Sequence, residues 1–220
     1  MNDNLLQISD GKLYELNDMV KVGCHDCAGC SLCCHDMGQS ILLDPYDVFQ
    51  LTNNLGQTFE QLLTGPVELH VEDGLILPNL KMQGGSDPVC AFLNEQGRCS
   101  IHAFRPGLCR LFPLGRNYEE NKLNYFLLLH ECPAKNKSKM KVSRWLDMEN
   151  IRQYQEFLIT WHNLTKGLRR RMEEYISDDA YTKQLNMAFL QIFYLSGYEN
   201  EDFYAQFQGK MDQWKSLGGI

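Results

Sequence analysis

The segment Cys24-His25-Asp26-Cys27-Ala28-Gly29-Cys30-Ser31-Leu32-Cys33-Cys34 concentrates five of the chain's nine cysteines. It repeats C-x2-C spacing three times in succession and ends in a vicinal pair. Two intervening residues let a tight turn aim both sulfurs at one centre, and Ala28-Gly29 lets backbone amides approach those sulfurs. The N-terminal Met1 to Gln7 has neither a basic region nor an apolar core of the secretory kind, so a cytoplasmic location is expected. In that reducing setting cysteines serve metals or redox chemistry rather than structural disulfides.

Composition narrows the remaining classes. The chain has 220 residues, 44% of them hydrophobic and 22% charged, with 7 Pro and 17 Gly. That is enough for a buried core, and it excludes collagen-like and low-complexity chains. A formal charge of -7 argues against general affinity for nucleic acid or anionic lipid. The longest nonpolar run, Tyr125 to Leu129, is far short of the roughly 18 residues a membrane-spanning helix needs. Metal ions are the expected partners, with a protein partner or protein substrate left open.

The other cysteines are Cys90, Cys99, Cys109 and Cys132, and none follows Cys132. A structural zinc site usually draws on two separated C-x2-C knuckles, and no second knuckle lies downstream of Cys34. Three cysteines at C-x2-C-x2-C, completed by a remote Cys-Pro, form instead the ligand pattern of bacterial ferredoxin cubanes, and Cys132-Pro133 supplies such a step. An iron-sulfur cluster, 4Fe-4S in type, is therefore expected ahead of zinc, which stays open as the alternative. Neighbouring side chains usually diverge, so Cys33 and Cys34 are expected to face different sites. One centre would use Cys27, Cys30, Cys33 and Cys132, and a second Cys34, Cys90, Cys99 and Cys109.

These residues resemble the YkgJ-type cysteine-cluster family, named for a CxxCxxCC motif and described as zinc- or iron-chelating. Cys27-x2-Cys30-x2-Cys33-Cys34 stands as that motif does, followed by Leu43-Asp44-Pro45-Tyr46-Asp47-Val48. Pro88 to Leu93, Gly97 to His102 and Arg105 to Pro113 are similar to its later blocks, and Cys132-Pro133 to its closing cysteine. The resemblance covers about residues 24 to 135, with Cys24 an extra cysteine outside the motif. It implies eight chelating cysteines and no settled reaction. Some relatives are similar to flagellin lysine N-methylases, so an iron-sulfur enzyme acting on protein lysine is the alternative to a structural, electron-transfer or metal-handling role. Enzymatic activity is left undecided.

The expected fold class is α+β. An irregular cysteine-rich module of small helices and β-hairpins spans 20–140, and an α-helical layer over 141–220 packs on it. Asp44, Pro45 and Gly56 frame a helix over 45–55, and Thr58 with Gln61 caps a second that Gly65-Pro66 ends. Alternation around Asp73-Gly74 predicts a hairpin over 67–78, and a further strand pair is expected at 89–93 and 98–101, bringing Cys90 near Cys99. From Val142 onward the spacing is helical: Ile151, Tyr154, Phe157, Leu158, Trp161, Leu164 and Leu168 share one face. Tyr181 to Leu195 and Phe203 to Trp214 complete the layer. His25, His35 and His102 are lesser candidate ligands, and Arg105, Arg110 and Arg116 are read as positive charge around Cys109.

Overall fold

The computed structural model describes residues 7–24, 30–175, 178–199 and 202–218. Strand β1 (Met19–Gly23) leads into the cysteine run, whose last residues, Leu32–Cys34, form a single tight 3-10 turn. Helix α1 (Pro45–Leu55) begins where expected. Asp44 and Asp47 cap each other's backbone N–H groups, Pro45 fills the first turn, and Gly56 stops the helix at φ 63°, a left-handed conformation that glycine adopts at little cost. Helix α2 (Phe59–Leu63) carries the expected Thr58–Gln61 reciprocal cap. The hairpin β2 (Val67–Glu72) and β3 (Leu75–Leu80) turns at Asp73-Gly74, as the alternation predicts.

The next strand pair differs from expectation. β4 (Met82–Gln83) pairs with β5 (Val89–Cys90), so Met82 is the neighbour of Cys90, and the approach to Cys99 is reduced to one bridge between Leu93 and Cys99. The Asn94 side chain accepts the N–H groups of Gln96 and Arg98 and closes the chain into a tight turn before a ladder can extend. Helix α3 (Gly107–Leu111) then precedes a hairpin unmarked by any turn dipeptide, β6 (Leu114–Glu119) and β7 (Lys122–Leu127). β8 (Ser138–Lys141) returns to pair antiparallel with β1. Among the described residues all four sheets are two-stranded, and the mixed α+β class is as expected.

Helices α4 (Val142–Leu146), α5 (Ile151–Glu174), α6 (Asp179–Leu190) and α7 (Phe203–Ser216) follow, with a π turn over Gln191–Leu195 after α6. The stripe on α5 is buried at Tyr154, Phe157, Leu158, Trp161, Leu164 and Leu168. On α6 the pattern holds only toward its end and into the π turn: Met187 is 53% exposed, whereas Phe189 on the helix and Ile192 and Phe193 in the turn are buried. Aromatic rings knit the layer, with Phe157 set edge-on to Phe203 at 5.2 Å and to Phe207 at 4.8 Å between centroids. One continuous core cluster runs from Val20 through Cys90 to Trp214. Among the described residues no helix is long and apolar enough to cross a membrane.

Candidate metal centre

Four short pieces of chain carry cysteines to one place. The turn at 32–34 is closed by the Cys34 N–H donating to the Ser31 carbonyl at 2.7 Å, and it is held against β5 by the Asp36 N–H on the Pro88 carbonyl at 2.9 Å. Cys90 is the last residue of β5. Cys99 follows the Asn94 turn, tied down where the Ser100 N–H donates to the Phe92 carbonyl at 2.9 Å. Cys109 lies mid-way along α3, which is anchored at its start by the Gly107 N–H on Asp47 Oδ1 at 2.7 Å. A Cβ at residue 107 would meet the Tyr154 hydroxyl and the Arg116 guanidinium, so any larger residue there would displace that pair.

Cys30, Cys33, Cys34, Cys90, Cys99 and Cys109 line a single cavity of about 70 Å³, with Arg98, His102, Arg105 and Trp145 also in its wall. The expected division into two groups is not what this wall shows. Cys30 and Cys33 share it with all four cysteines assigned to the other centre, and the vicinal Cys33 and Cys34 face the same space. Cys132 stands apart: it is half-buried, its carbonyl accepts from Lys137 Nζ at 2.7 Å, and it is not part of the wall. Cys27 and His25 lie outside the described residues. Among the described residues, no three side chains of the ligating types close on one point tightly enough to hold an ion as they stand.

The electrostatics favour an added cation. The Cys34 thiol donates to the Cys33 sulfur, which lowers Cys33 to about 6 and raises Cys34; Arg105 and His35 add to the attraction at Cys33. Burial raises Cys90, Cys99 and Cys109, and their repulsion of one another and of Cys33 adds to it. So many thiolates cannot share a desolvated space without positive charge between them, which makes the donor set fit a thiophilic metal. The arginines expected around Cys109 go to three separate places. Arg105 donates to the His102 carbonyl at 2.7 Å on the cavity wall. Arg110 is buried, donating to the carbonyls of Asp147 and Ala103 at 3.2 and 2.9 Å. Arg116 faces Tyr154. Of the histidines, His35 lies 3.5 Å from Asp87, and His102 Nδ1 is 3.0 Å from Arg105 Nη1.

A second, larger cavity adjoins the first and was not foreseen from the sequence. It measures about 430 Å³ and shares Cys33 and Cys109 with the thiol cavity. Arg116, from β6, and the Asp44–Asp47 cap of α1 line it. Burial raises both carboxyls, Asp47 well above the ordinary range, while Arg116 works against the shift at each.

Residues 26–133, just under half of the chain, match the family model CxxCxxCC, described as "Putative zinc- or iron-chelating domain", and that span is similar to this family. The description of that family points to zinc or iron chelation, and the cysteine cluster that names it stands in this chain at Cys27, Cys30, Cys33 and Cys34. Neither the curated proteins nor the solved structures contain a significant match to the chain.

Proposed function

We propose that the thiol-lined cavity is the metal centre of a cytoplasmic iron-sulfur protein, with zinc as the competing occupant. The observation that carries this reading is that six cysteines from four separated segments line one cavity of about 70 Å³. A single tetrahedral zinc uses four ligands, so six donors suit a cluster or a multinuclear site better. Arg98 and Arg105 in the same wall would offset the negative charge of a thiolate-ligated cluster. Cys30, Cys33, Cys34, Cys90, Cys99 and Cys109 would be its nearest ligands, with Cys27 and Cys132 completing the eight proposed. A cluster held there supplies one-electron redox chemistry or a structural tie. The protein's own contribution is to gather thiols into one wall, exclude water with Ile41, Leu80 and Trp145, and place guanidinium groups beside the sulfurs.

The test is anaerobic purification with iron, acid-labile sulfide and zinc counted on one sample, followed by electron paramagnetic resonance before and after dithionite. Stoichiometric iron and sulfide with a reducible signal supports the reading. Zinc alone, retained through reconstitution with iron and sulfide, overturns the iron-sulfur assignment; an absence of bound metal overturns the centre altogether.

A further inference from the structure

The 430 Å³ chamber beside the thiol cavity falls within the size range of small-molecule sites, roughly 300–1,000 Å³. Most of its wall is apolar, including Leu43, Leu111, Leu114, Leu158 and Trp161. Arg116 reaches into it with bonding capacity unspent. It donates through Nη2 to the Tyr154 hydroxyl at 3.1 Å, but its Nε is buried without a hydrogen-bond partner among the described residues. The nearby acids do not use it up. Three of the four carboxylate oxygens of Asp44 and Asp47 accept backbone N–H groups, so the two acids act on Arg116 through space without a hydrogen bond to it, and the Tyr118 hydroxyl is its further neighbour. The chamber's other arginine, Arg169, also has an Nε without a hydrogen-bond partner, but that Nε sits 3.6 Å from the Asp73 carboxylate, whose charge offsets it. The Tyr118 and His162 rings, stacked at 3.9 Å, add a flat apolar face.

We propose that this chamber binds a small amphipathic monocarboxylate, an acyl or aryl acid, with its carboxylate on Arg116 and its body among the leucines. A carboxylate matches the planar guanidinium fork, and a single charge suits one arginine in a mostly apolar wall better than a phosphate dianion does. Because Cys33 and Cys109 belong to both cavities, a bound acid lies against the metal centre. That adjacency rests on the metal reading above, whereas the binding itself does not.

The experiment is calorimetric titration of the full chain, as purified, with octanoate, 3-phenylpropanoate, 1-octanol and inorganic phosphate. Metal content is measured on the same sample, and the Trp161 indole is followed by NMR. Saturable binding of both acids at one per chain is expected, with a Trp161 shift, and affinity for octanol at least about tenfold weaker. Arg116→Gln should cost the acids about tenfold or more and leave octanol unchanged. Should that variant fail to fold, Leu42→Trp, at a half-buried wall position, should narrow the chamber and block every organic ligand. Failure of the acids to bind, equal affinity for octanol, binding of phosphate alone, or unchanged affinity in either folded variant overturns the proposal. Acid binding by a chain without metal leaves the proposal standing and removes only the metal reading.

Discussion

Cys109 and Cys132 are both cysteines of the family span, yet they stand in different surroundings. Cys109 faces the thiol cavity from α3, whereas Cys132 is outside its wall. Cys109→Ser is therefore expected to lose most bound metal, and Cys132→Ser to keep the larger share, both read by metal analysis on anaerobic samples. Equal losses would place Cys132 at the same centre. Asp47 gives a second prediction. Burial raises its carboxyl well above the ordinary range, so the folded chain holds a proton that the unfolded chain has released. Its contribution to stability is fully present below the unfolded value of about 3.9 and is lost as pH rises through the higher folded value. Asp47→Asn cannot titrate yet still offers an acceptor to the Gly107 N–H. Its unfolding free energy relative to wild type should climb from about pH 4 to neutrality, measured in urea at matched metal content. A difference that stays constant with pH would show that the Asp47 proton is not linked to folding.

At the level of elements, Asn186 on α6 fastens the helical layer to the β2–β3 hairpin. Its Oδ1 accepts the Ile76 N–H at 2.7 Å and its Nδ2 donates to the Gly74 carbonyl at 2.9 Å. Asn186→Leu strands both backbone groups and should cost about 2 kcal/mol in chemical unfolding, with faster amide exchange at the hairpin tip. A loss within experimental error would mean that water replaces the clasp. Asn186 also marks the limit of what the sequence discloses. Where local chemistry decides, as in the caps at Asp44 and Thr58 or the turn at Asp73-Gly74, the elements are legible residue by residue. Where a partner far along the chain decides, they are not. β1 is an ordinary stretch until β8 reaches it, β6 and β7 carry no turn dipeptide, and α6 takes its buried polar side chain from a hairpin more than a hundred residues earlier. The site divides in the same way. The cysteines announce themselves by spacing, but which of them face one cavity depends on β4–β5 pairing and on α3. Arg116 reads as one of three arginines near Cys109 until β6 turns it toward Tyr154.

Across the whole molecule, the core is continuous from β1 to α7, and the thiol cavity is set into it between Ile41, Leu80 and Ile101. Removing metal is expected to lower the thermal midpoint and to expose Cys90 and Cys109 to alkylation, while α5 and α7 keep most of their helical signal, since their burial comes from aromatic packing. Unchanged melting after chelation would argue that the cavity is no structural metal site. The β1–β8 ladder carries one more consequence. Met19 stands opposite Lys141 and Gly23 opposite Ser138, so the chain enters and leaves the cysteine-bearing part at neighbouring points. A stretch whose two ends lie side by side is cinched at its neck, so fraying of this ladder would release both flanks of the thiol-bearing part at once.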